Sequence, residues 1–220
     1  DVAREPDAVK WLDDDRLVVA NEGDWKGGAR GFTIFDKQGK VLYENGAAFE
    51  HEIVKIGHYP DKRNKKGIEP EGLEAATFGE DNLFFVLAER ASIVGVYKDT
   101  GGEPALLQLL PSGIAPEGAV AIPARNLFVT ANEADLVEDG GARSHVMIYE
   151  RGEGEAAYPQ LVSTEKDGEL IGFGALSGLA PVPEKPGFVY AVNDSFYASQ
   201  PTIFTIDATA KPAKIVDALR

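Results

Sequence analysis

The chain contains no cysteine, which excludes disulfide bonds, thiolate chemistry and zinc sites built on cysteine. Only three histidines are present, and His51 and His58 do not have the His-Glu-x-x-His spacing of a zinc protease helix. Apolar runs are also short. None approaches the roughly 18 residues that a membrane-spanning helix needs, so we expect no membrane span in this chain.

Positive charge is scarce. The 22 lysines and arginines face 36 aspartates and glutamates, which gives a net charge of −14. Proteins bind nucleic acids by placing lysine and arginine against phosphates, so this balance argues against a nucleic-acid partner. An acidic surface fits cation binding better, although surface carboxylates that only maintain solubility explain the charge equally well.

Short apolar segments are abundant, and they recur as pairs between turns rich in the 24 glycines and 13 prolines. The first segment of each pair ends in an acidic or amide residue: 17–22, 84–89, 127–133 and 188–194. A second segment follows each one: 32–36, 94–98, 146–150 and 203–207. Repeated strand pairs predict an all-β fold, and a β-propeller is the most economical architecture because such small sheets must stack on their neighbours.

A second motif precedes each first segment: Pro6-Asp7, Pro70-Glu71-Gly72, Pro116-Glu117-Gly118 and Leu176-Ser177-Gly178. It divides the chain into about four four-stranded blades at 6–45, 70–111, 116–164 and 176–218, with an insertion loop at 46–69. Within the third blade, residues 160–164 are the predicted fourth strand. We expect these blades to be part of a larger propeller, with further blades in a longer parent protein.

In a propeller blade, the loop that enters the first strand and the loop that leaves the second strand lie on the same face. The second motif lies where the first strand of each blade begins, and the apolar segments 17–22, 84–89, 127–133 and 188–194 are the second strands. We therefore expect the two motifs to meet at one mouth of the propeller channel. Carboxylates brought together in this way raise one another's pKa unless a cation holds them. Calcium, with its six to eight oxygen ligands, would suit such a ring. The predicted ligands are Glu71, Glu117, Asn132, Asn193 and Asp194. The simpler alternative is that each residue caps its own turn.

A basic run interrupts the insertion loop: Lys62, Arg63, Lys65 and Lys66. Four cations beside a metal-lined mouth would suit an anionic substrate such as a phosphate ester. The alternative is a solvated loop without a ligand.

Several motifs together resemble the choice-of-anchor I proteins, which are bacterial secreted or surface propellers often described as alkaline-phosphatase-like. They are Asn21-Glu22-Gly23-Asp24, Glu69-Pro70-Glu71-Gly72, Ala88-Glu89-Arg90 and Ala131-Asn132-Glu133. From residue 175 onward, the segments 175–179 and 190–195 are similar to phytase-family proteins with esterase-like activity. The resemblance implies an extracellular, periplasmic or cell-surface location. Residues 193–194 and 177–179 also resemble calcium-dependent gluconolactonases and paraoxonases, but Ser177 stands where those enzymes usually have asparagine.

The leading hypothesis is a calcium-dependent phosphoesterase or esterase acting on a small anionic ester. In this hypothesis Glu22 or Glu133 is the general base, and Arg90 binds the anionic part of the substrate together with the basic run. Two alternatives stay open: a non-catalytic extracellular binding module, and a lactonase-like hydrolase that uses the same metal on neutral esters.

Overall fold

A computed structural model describes residues 3–61 and 66–220. The described chain is an all-β protein made of several antiparallel sheets, with one short α-helix. Strands are short, with two to nine residues each, because turns rich in glycine, proline and aspartate separate the apolar segments. None of the helices in these residues has the length and apolar character that crossing a membrane requires.

The first two sheets each contain four strands in chain order. Sheet 1 consists of β1 Pro6–Trp11, β2 Arg16–Asn21, β3 Gly31–Asp36 and β4 Val41–Glu44. Sheet 2 consists of β5 Pro70–Phe78, β6 Asp81–Ala88, β7 Ile93–Lys98 and β8 Ala105–Pro111. Helix α1, Ala48–Lys55, lies in the segment predicted as an insertion loop. It forms because Phe49 and Ile53, one turn apart, are both buried in the core.

Sheet 3 has three strands: β9 Pro116–Ile122, β10 Leu127–Asn132 and β11 His145–Glu150. Sheet 4 is formed by β15 Leu176–Pro181, β16 Phe188–Asn193, β17 Ile203–Asp207 and β18 Ala213–Leu219. A small hairpin, β13 Glu165–Lys166 and β14 Glu169–Leu170, precedes it.

The prediction that residues 160–164 form the fourth strand of the third blade is wrong. Strand β12, Leu161–Ser163, pairs instead in parallel with β18 at the edge of sheet 4. The physical reason is burial on both sides of this strand. Leu161 packs on the core of sheet 4, whereas Val162 packs on the core that sheets 1 and 2 share.

All four sheets have the same irregularity at the start of their first strand. Between first and second strands, the register shifts after the pairs Pro6 with Asn21, Pro70 with Ala88, Pro116 with Asn132, and Leu176 with Asn193. A bulge of this kind redirects the side chain of the extra residue. The predicted repeat is therefore visible in backbone geometry as well as in sequence.

Sheets 1, 2 and 3 pack face to face in chain order. A core of aromatic and aliphatic side chains joins sheets 1 and 2, where Phe32 contacts Phe84 and Tyr97 edge-on. A second core joins sheets 2 and 3, where Phe85 stacks on Phe128 at 4.0 Å. Their first strands lie side by side, with β1 against β5 and β5 against β9. Closure into a propeller, and the number of blades, stay predictions.

Candidate functional site

The same backbone hydrogen bond fixes one end of every sheet. The residue after the second strand donates its N–H to the carbonyl of the residue before the first strand, at 2.9 to 3.0 Å. The donors are Glu22, Glu89, Glu133 and Asp194, and the acceptors are Glu5, Glu69, Ala115 and Ala175. All four acceptors have a left-handed backbone, with φ between 44° and 58°. The two sequence motifs are therefore adjacent in each sheet, as the sequence predicts.

Glu22, Glu69 and Glu71 form the centre of this end of the molecule. One carboxylate oxygen from each lies within 4.8 Å of the others. We call these three residues, together with Asp7, Glu117 and Glu133, the acidic cluster. Carboxylate oxygens at such spacing can act as ligands to a hard cation.

Glu69 was not among the predicted site residues. In the structure its side chain is 0% exposed. Its position before Pro70 indicates a loop, and loop glutamates are usually solvated. What distinguishes it is its left-handed backbone directly before a first strand, which the sequence does not reveal. Its backbone carbonyl completes the repeated hydrogen bond to Glu89, and its side chain turns into the cluster.

The carboxyl group of Glu71 has a strongly raised pKa. Burial raises the pKa of Glu71 to about 7, and the negative charges of Glu117, Asp7 and Glu22 act in the same direction. Lys66 opposes them only in part. A carboxylate whose charge is this unfavourable at neutral pH takes up either a proton or a cation.

Glu117 and Glu133 interact directly. A hydrogen bond to Glu133 raises the pKa of Glu117, and burial and the charge of Glu133 add to the effect. A hydrogen bond between two carboxyl groups requires one of them to be protonated. Glu117 lies in the bulge at the start of β9 and Glu133 directly follows β10, so the two repeated motifs bring this pair together.

Two cations of the protein itself lie beside the triad. Lys66 Nζ forms short ion pairs with Glu22 and Glu69, and the hydrogen bond to Glu22 raises the pKa of Lys66. Arg90 Nε pairs with the other oxygen of Glu69 and, at 2.6 Å, with Glu89. The buried Glu69 therefore has one cation at each oxygen, as a buried charge requires.

The amide ligands predicted from the repeat have local partners. Asn132 Oδ1 accepts a hydrogen bond from Ser112 at 2.7 Å, and Asn132 Nδ2 donates to the carbonyl of His145 at 3.1 Å. Asn193 donates to the Gln200 carbonyl and accepts from the Thr202 amide. These bonds match the capping alternative, so their assignment as metal ligands stays a prediction without support from the geometry.

Asp194 likewise accepts hydrogen bonds from the backbone and hydroxyl of Ser195, next to it in the chain. The predicted substrate-binding residues Lys62, Arg63 and Lys65 lie outside the described residues. Lys66, the last of that run, lies against the acidic cluster and neutralises carboxylates there. Arg90 has the same role towards Glu69 and Glu89, so its described contacts are structural.

Comparison with known proteins gives one family. No curated protein matches the chain. A family model matches residues 26–102, which begin after the second strand of sheet 1 and run through the third strand of sheet 2. This region contains Lys66, Glu69, Glu71 and Arg90. Residues 26–102 match the family model of the choice-of-anchor I domain, which is the resemblance that the sequence motifs indicate.

Proposed function

We propose that the acidic cluster binds a divalent cation, calcium, and that the protein is a metal-dependent phosphoesterase or esterase of the phytase-like propeller type. The observation that carries this proposal is the triad of Glu22, Glu69 and Glu71, whose oxygens lie within 4.8 Å of one another. Burial and neighbouring negative charges raise the pKa of Glu71 to about 7, and a bound cation would offset the repulsion between these charges.

The donor set fits calcium in its chemistry. Calcium takes oxygen ligands in flexible arrangements, and three glutamates of the triad supply only oxygens. Glu117 and Asp7 add negative charge near Glu71 without belonging to the triad. Lys66 is the obstacle, because its ammonium already pairs with Glu22 and Glu69. Its side chain is partly exposed, so it can move aside into solvent when a metal competes for the same oxygens.

A bound calcium supplies polarisation of the ester and a lower pKa for the attacking water. The remaining roles fall to the protein. Glu133 and burial raise the pKa of Glu117, which suits Glu117 to the exchange of protons with a substrate. Lys66, once displaced from Glu22, is the cation placed to bind the anionic part of the ester.

One observation favours the non-catalytic alternative. Both oxygens of Glu69 already face cations of the same chain, Lys66 and Arg90. A cluster neutralised from within stabilises the turn that carries it and needs no metal. In that case the acidic end is a structural part of an extracellular binding module. The match to the choice-of-anchor I domain supports secretion or surface display for either function.

Hydrolysis of p-nitrophenyl phosphate, measured with calcium and with excess EDTA, separates the two functions. We expect activity only with calcium, and a loss of about 10- to 100-fold or more in Glu71→Gln, since removal of even a group that supports a metal ligand costs about 10- to 100-fold. Glu80→Gln, in the exposed turn between β5 and β6, is the matched control and should keep full activity. Calcium binding without hydrolysis of this ester or of a lactone would instead favour the binding module.

A further inference from the structure

A cavity of about 420 Å³ lies between sheets 2 and 3. Side chains of both sheets line it, together with the segment 150–156 at the end of β11. It reaches Phe78, the last residue of β5, and therefore lies at the opposite end of that strand from Glu71. Small-molecule sites usually have volumes of about 300 to 1,000 Å³. Because this cavity lies between two sheets that pack on each other, it does not depend on what covers the outer faces of sheets 1 and 3.

The cavity is open because no strand in the described chain pairs with the outer edge of β11. Sheet 2 has such an outer strand, β8, and its Leu107 and Leu110 line the cavity. The next strand after β11 in one of the larger sheets is β12, which pairs with β18 instead. Between sheets 1 and 2 the corresponding space is filled, since Phe49 of α1 packs edge-on against Tyr97. The cavity is therefore a consequence of the three-stranded form of sheet 3.

One wall of the cavity is aromatic. Phe85 stacks on Phe128 at 4.0 Å between ring centroids, and Phe78 meets Phe85 edge-on at 6.1 Å. Tyr149 continues the row, with its ring centroid 5.8 Å from that of Phe128. These rings belong to the core that joins sheets 2 and 3, so packing fixes the wall in place. Leu107, which also lines the cavity, is 51% exposed, so the cavity is open to solvent on that side.

Negative charge predominates among the residues that line the cavity. Three of them are glutamates: Glu150, Glu153 and Glu155. All three are exposed, and none forms a hydrogen bond or ion pair with another residue of the described chain. Arg151 also lines the cavity, but its guanidinium has partners of its own. Its Nη1 donates to the carbonyl of Phe78 at 2.7 Å, and its Nη2 pairs with Asp81. The charge that a ligand would meet is therefore negative.

The segment that carries the glutamates is fixed at its start and has room beyond it. Tyr149 Oη donates to the carbonyl of Pro111 at 2.9 Å, and the Arg151 N–H donates to the carbonyl of Asn126 at 2.8 Å. These two bonds hold Glu150, which lies between them in the chain, beside the aromatic wall. Gly152 and Gly154 alternate with the other two glutamates, and a Cβ atom on either glycine would meet nothing within 4 Å. The segment can therefore adjust around a ligand without a clash.

We propose that this cavity binds a small organic cation, with an apolar body of about one aromatic ring and a protonated amine. The apolar body packs on the aromatic wall, and the ammonium group lies beside the glutamates of the segment 150–156. Burial of the apolar body supplies most of the affinity, since ion pairs at exposed carboxylates are individually weak. The glutamates decide the sign of the charge that is accepted. This site is separate from the acidic cluster, and its function does not depend on calcium.

Three probes with the same apolar body and different charge test the proposal: 4-phenylbutylamine, 4-phenylbutanol and 4-phenylbutyrate. Each is titrated into the full chain in EDTA at low salt, and binding is measured by calorimetry. We expect the amine to bind at least about tenfold more tightly than the carboxylate, with the alcohol between them, because the two charged probes interact with the glutamates in opposite senses. The advantage of the amine over the alcohol should shrink at about 1 M salt, since exposed charges are then screened.

Two variants locate the site. Leu107→Trp fills the cavity with a larger side chain at an exposed position, so the fold is retained and binding of the amine is lost. Leu42→Trp, at an exposed leucine in the fourth strand of sheet 1 that does not line the cavity, is the matched control and should bind as the wild type does. Replacement of all three glutamates of the segment 150–156 by glutamine should lower the affinity for the amine to that for the alcohol and leave the alcohol unaffected.

Binding of the amine at the acidic cluster is the competing explanation, and Glu71→Gln tests it. This variant should bind the amine as the wild type does, and loss of binding in it would overturn the proposal. Wild-type protein that binds none of the three probes would also overturn it. So would equal affinity for the amine and the carboxylate at low salt, or unchanged binding in Leu107→Trp. None of these results bears on calcium binding, which is measured separately in the absence of the probes.

Discussion

At the scale of the residue, burial and neighbouring negative charges together raise the pKa of Glu71. Its carboxyl group lies where the bulges of sheets 1, 2 and 3 direct Asp7, Glu71 and Glu117 to the same end. With a pKa raised to about 7, it is protonated in the folded state under conditions in which the unfolded chain has released that proton. Without a metal, this residue works against folding at neutral and higher pH.

The sign of the resulting pH dependence follows from proton linkage. The folded state binds more protons than the unfolded state between the unperturbed pKa of 4.5 and about 7, so stability falls as pH rises through that window. We expect Glu71→Gln to stabilise the metal-free protein by about 1 kcal/mol at about pH 8, after allowance for solvent screening of a partly exposed group. The gain should vanish at about pH 4, where both states hold the proton. Urea unfolding at the two pH values measures it, and a gain that is equal at both would contradict the account.

Lys66 competes with any metal for the oxygens of Glu22 and Glu69. Removal of its charge in Lys66→Met is expected to strengthen calcium binding about tenfold, or about 1.4 kcal/mol, since the cation no longer has to displace an ammonium group. The same change should destabilise the metal-free fold, because Glu69 is buried and loses one of its two cations.

Calorimetric titration with calcium measures the first effect, and thermal unfolding in EDTA measures the second. Lys98→Met, which removes an ion pair to Asp81, the first residue of β6, is the matched control. Calcium affinity that is unchanged or weaker in Lys66→Met would mean that the metal does not bind at these oxygens.

At the scale of the element, the bulge at the start of each first strand is the unit that the protein repeats. It brings the end of the second strand to the start of the first through one hydrogen bond, with a left-handed residue at the turn. In sheet 2 the bulge also places Gly72 against the backbone of sheet 3. Close approach of two backbones is the reason for glycine at this position.

The pair Gly72→Ala and Gly118→Ala separates this contact from the intrinsic cost of replacing glycine. We expect Gly72→Ala to destabilise the protein by about 2 kcal/mol, because its methyl group would overlap the Glu117 carbonyl and force sheets 2 and 3 apart. Gly118→Ala should change the stability by less than about 0.5 kcal/mol, since its Cβ atom would meet only Ala131 at 3.6 Å. Denaturant unfolding of dilute protein measures both, and equal effects would mean that sheets 2 and 3 do not pack as described.

Much of this local structure could be predicted from the sequence. The alternation of apolar residues and turns places the second and third strands of every sheet, and the two repeated motifs bring Glu22, Glu71, Glu117 and Glu133 to one end. The contribution of Glu69 could not be predicted, because it depends on a left-handed turn that only the backbone reveals.

The partner of β12 could not be predicted either, since the pattern of a three-residue strand does not say which sheet edge will bury its two sides. An asparagine at a repeated position can either cap its own loop or reach a shared site, and Asn193 caps its own loop. The three-dimensional contacts of its oxygen and nitrogen decide between these two roles.

At the scale of the whole molecule, part of the net charge of −14 is concentrated at one end. Carboxylates from three successive sheets converge at one end, where, among the described residues, Lys66 and Arg90 pair with Glu22 and Glu69. Sheets 1, 2 and 3 are needed together, since Asp7 and Glu22 belong to sheet 1, Glu71 to sheet 2, and Glu117 and Glu133 to sheet 3. The site is therefore a property of the packed array rather than of one sheet.

Calorimetric titration of the EDTA-treated protein with calcium tests this central claim most directly. The account predicts binding at neutral pH with release of a proton, because cation binding requires the ionised form of Glu71. Glu71→Gln should lose the heat of binding, and Glu80→Gln should keep it. No heat and no rise in melting temperature on addition of calcium to the wild-type protein would contradict the claim, and would leave the acidic cluster as an internally neutralised structural element.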